Sequence, residues 1–153
     1  FIGAIVAIIG AGVVYFFLQQ REGEIPEASV AVVEDIGKED LYGNAFEKAD
    51  LIRVNNPRPG DPISSPLVVY GEARGNWFFE ASFPIKLLDG NGKEIAVAIA
   101  QAQEEWMTTN FVLFKATLEF LKPATENGTL VLEKDNPSGL PEHADRLIMP
   151  IRF

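Results

Sequence analysis

Hydrophobic and polar positions divide the chain into three stretches with different rules. Phe1 to Leu18 is an unbroken apolar block without a single charge. A charged, Gly- and Pro-containing stretch follows, from Gln19 to Asp50. From Leu51 onward, short runs alternate apolar and polar residues, with turn-forming residues between them. Strict alternation places one set of side chains on each face of a β-strand, whereas a surface helix would repeat every three to four residues.

The third stretch predicts about seven strands. Leu51–Val54 is the first and Leu67–Ala73 the second, separated by the turn cluster Asn55-Asn56-Pro57-Arg58-Pro59-Gly60-Asp61-Pro62. Phe79, Ala81, Phe83, Ile85 and Leu87 then alternate with Glu80, Ser82, Pro84, Lys86 and Leu88. Pro84 lacks a donor, which predicts an edge or a bulge there. Asp89-Gly90-Asn91-Gly92 predicts a hairpin turn. The returning strand carries Ile95, Val97 and Ile99 on one face and Ala96, Ala98, Ala100 and Ala102 on the other. Val112–Leu121, Thr129–Glu133 and Leu147–Phe153 complete the set. The expected fold is all-β: a two-sheet sandwich of about seven strands over residues 51–153, preceded by a single transmembrane α-helix.

The apolar block is the expected anchor. As a helix, Phe1–Leu18 would span about 27 Å, close to the hydrocarbon thickness of a bilayer. It lacks the polar stripe of a core helix. Tyr15, Phe16 and Phe17 suit the head-group level, and Gln19, Gln20 and Arg21 mark the exit into water. A cleaved signal peptide would need a small-residue cleavage site after the block, and Tyr-Phe-Phe-Leu-Gln-Gln is a poor one. Pilins also begin with Phe and an apolar helix, but carry a glutamate where this chain has Ile5. Gly3, Ala7 and Ala11 share one helix face, which allows helix-mediated dimerisation without requiring it. The acidic flank of Glu22, Glu24 and Glu27 favours the outer side of the membrane. The expectation is a single-pass protein of the cytoplasmic membrane, with residues 1–18 in the lipid bilayer, 19–50 as linker or stalk, and the C-terminal domain extracytoplasmic. Val30–Val33 could add a short strand, and 45–52 one or two helical turns.

Composition narrows the function. All 22 acidic and 13 basic residues lie after Leu18, so the net charge of −9 belongs to the rest of the chain. That balance argues against nucleic acid as a partner, since binding it requires clustered Lys and Arg. The absence of cysteine excludes disulfides, thiolate nucleophiles and cysteine-ligated metals. His143 is the one histidine, in a loop, and without a nucleophile and an orienting acid it makes no catalytic group. Glu104 and Glu105 are adjacent, so on a strand they would point apart. Ser64 and Ser65 lack a nucleophile-elbow context. Asn127-Gly128-Thr129 matches a glycosylation sequon but reads better as a turn. No catalytic residue, metal site or cofactor is expected. The aromatic residues Trp77, Phe78 and Trp106 form the candidate binding surface, against the alternative that they pack in or beside the core. If Phe79 faces the core, Trp77 shares its face and Phe78 points out.

One segment is familiar. Asn56-Pro57-Arg58-Pro59-Gly60-Asp61-Pro62-Ile63-Ser64-Ser65-Pro66-Leu67, followed by Val68-Val69-Tyr70-Gly71-Glu72-Ala73, resembles the opening of the bacterial spore-germination-associated immunoglobulin-like domain (the Gmad type). Phe79-Glu80-Ala81, Leu88-Asp89-Gly90-Asn91-Gly92-Lys93, Phe111 and Gly128-Thr129-Leu130-Val131-Leu132 continue it in order, over about residues 51–153. The resemblance implies an immunoglobulin-like sandwich outside the membrane, used for binding or as an envelope module, and no catalytic residues. Three functions are weighed. The first is a binding or scaffolding module for an envelope protein or cell-wall glycan. The second is a protease-inhibitor-like sandwich presenting the Asp135–Arg146 loop, or a pilin-like surface subunit. The third, an enzyme, lacks clustered ionisable groups.

Overall fold

The computed structural model of the chain describes residues 41–153. The expected membrane helix 1–18, its Gly3, Ala7 and Ala11 stripe and the linker up to residue 40 lie outside the described residues. Among the described residues no helix is long and apolar enough to cross a membrane.

Seven strands form where alternation predicted them. They are β1 (Ile52–Asn56), β2 (Leu67–Arg74), β3 (Ser82–Asp89), β4 (Glu94–Ala102), β5 (Phe111–Leu118), β6 (Asn127–Glu133) and β7 (Arg146–Arg152). All neighbouring strands are antiparallel, in the order β1-β2-β5-β4-β3-β6-β7. The ladder is full between β2 and β5, and between β6 and β7. Between β4 and β5 it shrinks to Gln101↔Lys115 and Ala102↔Phe114. At that narrow join the ladder folds over into two layers, β1-β2-β5 and β4-β3-β6-β7. Phe83 of β3 and Phe114 of β5 meet edge to face between the layers, with ring centroids 5.0 Å apart. Phe78 packs on Phe83 from the other side at 5.2 Å. Val69, Ile85, Leu87, Leu118, Leu130, Leu132, Leu147, Met149 and Ile151 complete one fully buried apolar cluster. No buried residue is polar or charged among the described residues, and the buried polar side-chain atom left without a partner there is the Trp77 indole nitrogen.

Local chemistry explains where the strands stop. In the β3–β4 turn, Asp89 Oδ1 accepts hydrogen bonds from the N–H groups of Asn91 and Lys93, at 2.8 and 3.0 Å. Gly92 supplies the positive φ that the hairpin requires. β3 begins three residues later than the alternation predicted. Glu80 and Ala81 both have positive φ, and Phe79 and Ser82 bond each other's backbone across them, which makes a two-residue turn. Period two therefore fails before Ser82.

Two further expectations are corrected. Pro84 sits on a central strand, neither at an edge nor in a bulge. It pairs with Ile99 of β4, while the β3–β6 ladder starts only at Ile85, so Pro84 lies just outside the ladder to β6, where no N–H is called for. Asn127-Gly128-Thr129 opens β6 and is not a turn. In β4, where alternation left the inner face open, the alanines take it, and Val97 and Ile99 are turned outward, each 51% exposed.

Residues 43–51, part of the expected linker region, form successive turns held against the sandwich. The Asn44 side chain donates to the Arg146 carbonyl (3.0 Å) and accepts from the Ile148 N–H (2.7 Å). Its own N–H donates to the Ile148 carbonyl, and Lys48 pairs with Asp145 at 2.6 Å. The β1–β2 connection also reaches β7: Gly60 donates to Pro150, Ile63 donates to Arg152, and Arg152 donates to Asp61. The edge of β7 is therefore occupied along its length.

Candidate functional site

The outer face of β1-β2-β5 carries exposed apolar and aromatic side chains, Val68, Tyr70 and Leu113, with charges beside them. Alternation fixes its rows, because residues paired across an antiparallel ladder share a face. Val68 faces Thr117, Tyr70 faces Lys115, Glu72 lies between Arg53 and Leu113, and Arg74 faces Phe111. Tyr70 is 47% exposed and Leu113 54%. With Val68, Gly71, Gln103 and Lys115 they line an open groove of about 320 Å³. At one end, the guanidinium carbons of Arg53 and Arg74 lie 4.2 and 4.0 Å from the centroid of Phe111. Arg53 also bonds Glu72 at 3.0 Å, and Arg74 bonds the carbonyls of Asp50 and Thr109. The two guanidiniums are thereby held in place and the Phe111 ring is covered. What stays open is an apolar floor with a phenol, an amide and an ammonium around it, which suits a partner that offers apolar surface and a few acceptors.

The aromatic residues singled out from sequence do not form that surface. Trp77 and Phe78 are core side chains, and Phe79, expected to face inward, is 41% exposed. The physical reason is local: Gly75–Trp77 is a 3-10 turn, and the Phe79–Ser82 turn follows at once, so no strand geometry governs residues 75–81. Trp106 is half-buried against the core cluster in the β4–β5 connection. The Trp77 indole N–H is buried with no hydrogen-bond partner. Sequence reasoning missed Tyr70 and Leu113, although the outward phase of β2 and β5 was already in the alternation.

The ionisable candidates fall into loops. His143 Nδ1 lies 3.1 Å from Ser138 Oγ, which brings together a histidine and a hydroxyl that sequence reading left apart. That hydroxyl already donates to Asn136 Oδ1 at 2.6 Å and accepts from the Leu140 N–H. Its proton therefore points away from the imidazole, and the group works as loop scaffolding in this arrangement. Glu104 and Glu105 do not converge: each carboxylate accepts one backbone N–H, from Leu113 and Met107 respectively. Ser65 Oγ accepts from the Phe120 N–H, joining the β1–β2 connection to the end of β5. Among the described residues no group of His, Asp and Glu is placed to hold a metal ion.

Comparison with known proteins places the fold in a lineage. A family model described as the immunoglobulin-like domain of bacterial spore germination (Gmad2) matches residues 51–139. No curated protein and no solved structure matches significantly. The matched stretch runs from just before β1 through β6 to the Ser138 loop, and β7, which follows it, completes the sandwich. With more than half of the sequence matched and all seven strands in antiparallel order, this chain belongs to the Gmad2 family of immunoglobulin-like spore-germination domains.

Proposed function

We propose that the chain is a non-catalytic, membrane-tethered module of the bacterial cell envelope. Residues 1–18 would anchor it in the cytoplasmic membrane, and the immunoglobulin-like domain would work outside it, binding or scaffolding an envelope protein or a cell-wall glycan. Family membership supports an immunoglobulin-like module related to spore-germination proteins. The observation that carries the binding role is the Val68–Tyr70–Leu113 patch, exposed apolar area on a strand face that nothing else in the described residues covers. Exposed aromatic and aliphatic side chains of this kind are the usual anchors of protein interfaces and of sugar-stacking sites.

The test compares the parent chain with Tyr70→Ala/Leu113→Ser. Both positions face solvent, so unfolding free energy should stay within about 0.5 kcal/mol for each change. Retention of an envelope protein, or of cell-wall glycan, from envelope extract should be lost in the double variant. Equal retention by both forms would remove this face from the function, and no retention by the parent would count against a binding role altogether.

A further inference from the structure

We infer that the Tyr70–Leu113 face takes an extended acidic segment of a partner protein, with carboxylates four residues apart on either side of an apolar side chain. The inference rests on the binding role proposed for that face and names the chemistry of its partner. The chain as a whole is acidic, with 22 acidic and 13 basic residues. The outward positions of β1-β2-β5 reverse that sign: Arg53, Arg74 and Lys115 stand against Glu72. Glu72 is already paired with Arg53. Glu104, at the border of the face, has its carboxylate on the Leu113 N–H. Lys115 and Arg74 have no carboxylate partner among the described residues. Arg74 is also held in position, since its Nε and Nη1 donate to the carbonyls of Asp50 and Thr109, which leaves Nη2 for a carboxylate. Such a local reversal of sign steers an anionic partner to this face.

The register sets the spacing of the two free cations. Lys115 shares a row with Tyr70, and Arg74 shares one with Phe111, four residues away along each strand. At about 3.4 Å per residue these rows are about 14 Å apart. Leu113 lies midway between them and is 54% exposed. An extended peptide laid along the strands has the same rise and points alternate side chains to one face. Its residues four apart therefore reach both cations, and the residue midway meets Leu113. A glycan fits this face less well. Val68 and Leu113 make the floor mostly aliphatic, and the Phe111 ring is covered by two guanidiniums. An apolar side chain gains from burial there, whereas sugar hydroxyls would lose water without finding partners.

The probe is a short dye-labelled peptide with glutamate, leucine and glutamate at alternate central positions and serine elsewhere. A second peptide carries lysines in place of the glutamates, and a third sets its glutamates only two residues apart. Fluorescence anisotropy with the full-length chain in detergent should rank the first peptide about fivefold or more above the lysine peptide at low salt, and the gap should shrink at about 0.5 M salt as the ion contacts are screened. The closely spaced peptide should bind about threefold more weakly than the first, because it reaches one cation instead of two. Lys115→Glu should invert the order of the glutamate and lysine peptides, which damage to the fold alone would not do, and circular dichroism checks that the variant keeps its β signal. Equal affinity for the two peptides, or a preference untouched by Lys115→Glu, overturns the acidic partner. The two readings fail separately. If Tyr70→Ala/Leu113→Ser abolishes retention from envelope extract while the glutamate peptide does not bind the parent, the face remains a binding site and the acidic segment is refuted. If what the double variant loses is retention of isolated cell-wall glycan, the partner is a glycan and the inference is likewise refuted.

Discussion

Replacing Asn44 with alanine tests whether the segment before the family-matched region is part of the folded domain. The Asn44 amide bonds two groups on the edge of β7: it donates to the Arg146 carbonyl and accepts from the half-buried Ile148 N–H. A hydrogen bond of this kind contributes about 1 kcal/mol net, and a buried donor left without a partner costs about 1–3 kcal/mol. The Arg146 carbonyl can turn to water, whereas the Ile148 N–H lies beneath the 43–51 turns. The expected loss is about 2–3 kcal/mol, or about 10–15 °C in Tm for a domain of this size. Asn44→Asp keeps the acceptor for Ile148 and loses only the donor, so it should cost about 1 kcal/mol. Urea unfolding of fragment 41–153, followed by circular dichroism and tryptophan fluorescence, gives both midpoint and slope. Trp77 is buried in the sandwich core, so its emission reports on the sandwich rather than on the turns. The midpoint should fall in the order parent, Asn44→Asp, Asn44→Ala. If Asn44→Ala stays within 0.5 kcal/mol of the parent, the segment is a passive connector and the reasoning fails. A drop in slope with little change in midpoint would show instead that the turns detach before the sandwich unfolds.

Two other substitutions probe the backbone. A methyl group at Gly71 would overlap the Arg53 carbonyl oxygen and sit 2.9 Å from the Val54 Cα, so Gly71→Ala should push β1 off β2. Overpacking against rigid backbone costs about 1–3 kcal/mol, and hydrogen exchange should accelerate in β1 while β6 stays protected; unchanged stability would contradict the close approach. Ala81 sits at φ 63 in the Phe79–Ser82 turn, a region that costs an L-residue about 1–2 kcal/mol. Ala81→Gly should therefore raise the thermal midpoint by a few degrees despite the added freedom of the unfolded chain, and a lower midpoint would mean that the turn is not strained.

Strand number, order of appearance and the seat of the core were legible in the alternation, because a half-buried strand must repeat with period two wherever its backbone is extended. The sequence misled where the backbone leaves that geometry. Phe78 and Phe79 exchanged their expected environments because a 3-10 turn and a hairpin turn, invisible in a run of three aromatics, reset the phase. β4 was ambiguous for a different reason. Both its faces are apolar, so hydrophobicity does not distinguish inside from outside. Packing decides: Ala100 is fully buried and Ala96, Ala98 and Ala102 pack against the core cluster, while Val97 and Ile99 are left to solvent. The Tyr70–Leu113 face was encoded in the same alternation, but a polar-out rule makes an outward Tyr or Leu look incidental until strand pairing sets them side by side. Asn44 and its bonds to β7 span about a hundred residues of sequence, and no local pattern announces a contact of that range.

That long range has a kinetic side. β7 is the last of the seven described strands to be made, and the segments that grip its outer edge, at Asn44 and at Gly60 to Ile63, are made before most of the others. β6 pairs with β7 along its whole length and is equally without a partner on that side until residues 146–152 appear. Closing loops of this length before any contact rewards them is the slow step of β-rich topologies. The nascent domain therefore waits with the inner-facing Leu130 and Leu132 on an unfinished sheet, and its β6–β7 ladder forms only once residues 146–152 have emerged. A chaperone or a crowded surface would meet the protein at this stage, with six strands made and the seventh still to come.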